Sequence, residues 1–153
     1  MAQTGERKVI LFPSTQTTVG AHTVADTNPL SLAYYTQAIF VLSVTAEAGT
    51  TPTLDVYIQQ ELPIVASTDK WGQVPTGTSV WNDLAHFTQV TTSTGTWYAG
   101  IVAASNSNGP IKDVSLAAAT VISGPIGGNL RVKYVTTAAD AQYTFSVSAI
   151  LIP

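Results

Sequence analysis

Two histidines, nine carboxylates and three tryptophans are the side chains of this sequence with chemistry to offer, and their spacing decides what they can do. A zinc site built from His22 and His86 with Asp55 or Asp83 would need ligands gathered from distant segments. The histidines stand 64 positions apart, with no paired-histidine spacing, and His86 alternates with Leu84, Thr88 and Val90 as an ordinary strand residue would. The acids Glu6, Asp26, Glu47, Asp55, Glu61, Asp69, Asp83, Asp113 and Asp140 are scattered, mostly at strand ends and turns. No pair of them has the context of a glycosidase acid and base. There is no G-x-S-x-G elbow, and Gly124-Pro-Ile-Gly-Gly128 lacks the glycine spacing of a nucleotide loop. Cysteine is absent, which removes thiolate chemistry, disulfides and cysteine metal sites. The expectation is a protein that is not an enzyme and that uses no metal or cofactor.

The aromatics are the better binding hint. Trp71, Trp81 and Trp97 could stack on sugars, and Trp97 and Tyr98 are neighbours on one strand, so one of them points outward. The plainer reading has Trp81 and Trp97 plugging the ends of a sandwich and Trp71 anchoring its loop.

Composition narrows the classes further. Charged residues are 10% of the chain, against about 25% in ordinary soluble domains. Threonine, serine, alanine, glutamine and glycine fill the gap, a neutral hydroxyl-rich surface suited to a protein covered by neighbours. The net charge is −3, and the six basic residues Arg7, Lys8, Lys70, Lys112, Arg131 and Lys133 form no stripe, which argues against nucleic acid. The apolar run Val9 to Phe12 stops at Pro13, too short for a secretory signal, and no stretch approaches the ~18 residues of a membrane helix. The chain is expected to be made in the cytoplasm of its host.

The elements that must position these residues are strands. Leu54, Val56 and Ile58 alternate with Asp55, Tyr57 and Gln59; Phe40, Leu42 and Val44 with Ser43, Thr45 and Glu47, although Ile39 and Val41 make that strand's start apolar on both sides and so expected to be covered twice; Leu130, Val132 and Tyr134 with Arg131 and Lys133; and Tyr143, Phe145, Val147, Ala149 and Leu151 with Thr144, Ser146, Ser148 and Ile150. Leu84–Thr92 and Thr96–Ala104 read as a hairpin about Ser93-Thr94-Gly95. Ser115–Ser123 reads as a short strand or one helical turn. Turns rich in glycine and proline divide these runs. The pattern predicts an all-β antiparallel sandwich or related barrel of about seven to nine strands, spanning residues 36–153. Residues 1–35 form an N-terminal arm or an irregular strand pair, with Val9, Ile10, Leu11 and Phe12 as its apolar anchors on a partner. The 62–80 segment is long for a loop. Its Ile64, Val65 and Trp71 either meet a partner or pack back over the open end.

The order of motifs resembles small β-sandwich virion proteins of tailed bacteriophages. It runs Thr51-Pro-Thr-Leu-Asp-Val-Tyr-Ile-Gln-Gln60, Trp81-Asn-Asp-Leu-Ala-His-Phe-Thr-Gln-Val90, Gly128-Asn-Leu-Arg-Val-Lys-Tyr134 and Tyr143-Thr-Phe-Ser-Val147. The resemblance covers roughly residues 36–152 and is greatest to capsid decoration (cement) proteins. It implies a homotrimer bound to major capsid protein on the outside of an expanded head, stabilising the shell through contacts between subunits. Tail, neck or fibre components share the same kind of sandwich, and a carbohydrate-binding module is the alternative from another class.

Overall fold

A computed structural model of the chain describes residues 7–16, 20–25, 35–62, 80–91, 93–102, 117–121 and 129–153. It contains nine strands: β1 (Arg7–Gln16), β2 (Gly20–Ala25), β3 (Gln37–Ala48), β4 (Thr53–Leu62), β5 (Val80–His86), β6 (Gly95–Val102), β7 (Thr120–Val121), β8 (Leu130–Thr137) and β9 (Gln142–Ile152). They form two antiparallel sheets, one in the order β1-β9-β3-β6 and the other in the order β2-β8-β4-β5-β7. The chain is an all-β sandwich.

Strict alternation builds the layers. In β9 every second residue from Tyr143 to Leu151 is buried, and β3 and β8 follow the same rule. Burial of one face per strand gives a single apolar layer between the sheets. Phe40, Leu42, Phe145 and Leu151 of the first sheet face Leu54, Val56, Ile58 and Leu130 of the second. Phe12 closes this layer near one side, stacked on Phe145 at 4.8 Å and tilted against Tyr134 at 5.8 Å.

Two tight corners carry the chain from one sheet to the other. β3 passes to β4 through Gly49, whose φ of 126° suits glycine alone. A Cβ there would stand 2.8 Å from the Asp140 carbonyl oxygen. The Asp140 carboxylate accepts the Thr50 amide at 2.9 Å, which ties this corner to the one joining β8 to β9.

Bulges account for the differences from simple alternation. β1 shifts register between Ile10 and Phe12, so the consecutive residues Leu11 and Phe12 are both buried. The segment expected as an arm or irregular strand pair thus supplies β1 and β2, the outer strands beside β9 and β8. β5 begins four residues before the expected Leu84 and ends at His86. Its bulge opposite Ile58 and Gln59 turns both Leu84 and Ala85 inward and sends His86 outward, off the face that alternation had given it with Leu84. The hairpin expected at Ser93-Thr94-Gly95 does not form, because β5 and β6 lie in different sheets. Residues after His86 first stay on β4, with the Phe87 amide bonded to Val56 and Val90 paired with Leu54, and then cross over.

Candidate functional site

Three surfaces present chemistry: the outer face of the second sheet, a cleft at one side of the sandwich, and the outer face of the first sheet.

On the second sheet, β8, β4 and β5 align polar residues in cross-strand rows. Arg131 stands opposite Gln59, which stands opposite Asp83. Arg131 Nε donates to Gln59 Oε1 at 2.6 Å, and Gln59 Nε2 donates to Asp83 Oδ1 at 2.6 Å. The Arg131 guanidinium also covers the Trp81 ring at 4.2 Å, which places Trp81 on this face rather than at a sandwich end. Burial pulls the Arg131 pKa down, and nearby Asp83 partly offsets this. The next row stacks Lys133 over Tyr57 and Tyr57 on His86, with the two rings 3.9 Å apart. Burial, with the charges of Asp55 and Asp83, pushes the Tyr57 phenol up. His86 Nε2 lies 3.1 Å from Asp55 Oδ1, and Gln89 Nε2 donates to Asp55 Oδ2 at 2.8 Å. Asn129 holds Glu61 in the same way. Each of these charged groups meets an amide or an aromatic ring of the same chain.

The side chain of His22 is outside the described residues, so the two-histidine zinc site has one described member. Among the described residues no three metal-ligating side chains converge.

The cleft, about 270 Å³, lies along the outer side of β6. Trp97, Tyr98, Ala99 and Gly100 line one wall; His86 to Thr88 with Ala119 and Val121 line the other. Trp97 packs against the core, and Tyr98 is 70% exposed.

The outer face of the first sheet is different again. Its cross-strand rows read Lys8–Ile150–Ile39–Gly100, then Ile10–Ser148–Val41–Tyr98, then Ser146–Ser43–Thr96. Lys8, at one corner, is the single charged side chain in these rows. Ile39, Val41 and Ile150 are half-buried, and Ile10 is 69% exposed.

The expected partner-binding residues divide accordingly. Ile10 is exposed on this face, whereas Leu11 and Phe12 lie in the chain's own core. The side chain of Val9, and Ile64, Val65 and Trp71 with most of the 62–80 segment, fall outside the described residues. Sequence reasoning passed over Ile39, Val41, Ile150 and Tyr98 as a set. The doubly apolar start of β3 was their one signal, because the set exists only once β9 and β6 flank β3.

No protein family, curated protein or solved structure matches the chain.

Proposed function

We propose that the chain is a structural subunit of a virus particle, a decoration protein that sits on the outside of an expanded head shell and braces it through contacts with major capsid protein. The observation that carries this reading is the nearly uncharged outer face of the first sheet, where aliphatic and hydroxyl side chains extend across four strands with Lys8 at one corner. Such a surface has little to offer a nucleic acid and much to offer another protein surface, because its groups shed water at low cost. The sequence motifs that resemble phage decoration proteins support the same reading. Many copies on a closed shell would add avidity to a modest individual contact.

The test is co-sedimentation of the purified protein with expanded and unexpanded undecorated shells. Stoichiometric pelleting with expanded shells alone is expected. Val41→Glu, which places a charge at the centre of the face on a half-buried position, should abolish pelleting while the protein still unfolds cooperatively. Folded protein that pellets with neither shell would overturn the reading in favour of a tail, neck or fibre part.

One observation favours a second reading. The cleft is lined by Trp97 and by the exposed Tyr98, aromatic rings on which a sugar could stack. Glycan-array binding that is lost on Trp97→Ala would establish a carbohydrate-binding role.

A further inference from the structure

We propose that two copies of this chain pair antiparallel through β6, fusing their four-stranded sheets into one continuous sheet of eight strands. The inference concerns the free protein and stands whether or not the chain binds a shell.

Sheet edges invite pairing, and proteins protect them with charge, proline, bulges or brevity. The outer strands here are unequal in this respect. β1 contains Arg7, Lys8 and Pro13 and breaks register twice against β9. β7 is two residues long, and β2 is six. β6 has none of these devices. Its eight residues, Gly-Thr-Trp-Tyr-Ala-Gly-Ile-Val, include no charge and no proline, and they pair with β3 from Val102 to Gly95 without a shift. Among the described residues β6 pairs on that side only. A cleft of about 270 Å³ runs along its other side, between β6 and His86 to Thr88, Ala119 and Val121.

The chemistry of β6 also fits a second β6. In an antiparallel pair, directly opposed residues point to the same face. A two-fold axis at Ala99 therefore sets Tyr98 opposite the partner's Gly100, and Gly100 opposite the partner's Tyr98. Tyr98 is 70% exposed, and a Cβ built on Gly100 meets nothing within 4 Å. Each aromatic ring would cover the other strand's glycine, a recognised way of stabilising a glycine in a strand. The contact is self-complementary, as a two-fold interface must be.

Sedimentation equilibrium of the full chain, without shells, tests the proposal. A dimer is expected for the wild type. The double variant Tyr98→Lys/Gly100→Lys should sediment as a monomer with unchanged far-ultraviolet circular dichroism, since both positions are exposed and the proposed pairing would set like charges directly opposite each other. The chain has no cysteine, so a mixture of Tyr98→Cys and Gly100→Cys chains should form a disulfide-linked heterodimer under mild oxidation. Opposed Cα atoms at ~4.5–5.5 Å lie within disulfide reach. A wild type that is monomeric or trimeric, a dimer that persists in Tyr98→Lys/Gly100→Lys, or a mixture that forms no disulfide-linked heterodimer would overturn it.

Discussion

The two outer faces of this sandwich are built from the same alternating strands and reach opposite solutions. On the second sheet the outward positions include charged and amide side chains whose contacts run sideways across the face: Arg131 to Gln59, Gln59 to Asp83, His86 to Asp55, Asn129 to Glu61. On the first sheet the outward positions are Ile39, Val41, Ser43, Ser146, Ser148 and Ile150, with Lys8 at the corner. The difference lies in where the outward groups find their partners. The second face satisfies its charges within the chain and gains specificity of strand register. The first has almost no charge to satisfy, so covering it with another surface costs far less desolvation than covering a charged face would. A protein with so few charged residues has concentrated its described networks on one side.

The contrast is confined to the outer faces, because inside the sandwich the first sheet does hold a critical polar group. Tyr143 is fully buried, and its hydroxyl donates to the Thr91 carbonyl at 2.6 Å, with the Val90 carbonyl at 3.3 Å. Burial, with Glu47 and Asp55 nearby, pushes its pKa up to about 12 from 10.0. Folding therefore favours the neutral phenol. Its contribution is complete below pH ~10 and is lost as pH rises from there toward the folded value, by up to about 3 kcal/mol. Urea unfolding between pH 9 and pH 12, which brackets the rise from 10.0 to about 12, should show that decline, and Tyr143→Phe should flatten it. An equally steep decline in the variant would assign the alkaline transition to other groups such as Tyr57 and Tyr134, whose phenols burial also raises.

The next effect sets one face directly against the other. Asp83→Ala removes a buried acceptor from Gln59, whose amide then faces Arg131 with its own donor unmatched. The loss should be about 2–3 kcal/mol, read as a lower urea midpoint at constant slope. Ser146→Ala, on the first sheet's outer face, should change stability by no more than about 0.5 kcal/mol. Equal costs at the two positions would break the comparison.

Much of the fold was legible because its strands keep a two-residue period. In β8 and β9 burial follows the written alternation residue by residue, and β4 does so as far as Ile58, after which Gln59 and Gln60 are both buried. β1 and β5 were harder for a common reason. A bulge puts two consecutive residues inward, Leu11 with Phe12 and Leu84 with Ala85, and so imitates a loss of pattern. The crossing at residues 87–94 read as a hairpin because turn residues between two apolar runs do not say which sheet receives the second run. The surfaces were less legible still. Arg131, Gln59 and Asp83 come from strands that are not consecutive in the chain, and only the register β8-β4-β5 makes them a row. Val41 looked like a doubly covered residue. It is better described as the centre of a face whose neighbours Ser148 and Tyr98 arrive from β9 and β6.

Ionic strength separates the faces with the smallest expected change. If association uses the first sheet, attraction comes from apolar and hydroxyl contact, and Lys8 is its only charge. Raising sodium chloride from about 0.05 M to about 0.5 M shortens the screening length from roughly 14 Å to roughly 4 Å, yet it should leave binding within about twofold. Lys8→Ala should cost no more than a few tenths of a kcal/mol. Sulfate, which strengthens apolar burial, should tighten binding rather than loosen it. Association through the second sheet would behave in the opposite way, since Asp55, Glu61, Arg131 and Lys133 would then meet a partner across the interface. Binding that weakens steeply with sodium chloride would therefore move the contact to the charged face and leave the neutral one without a role.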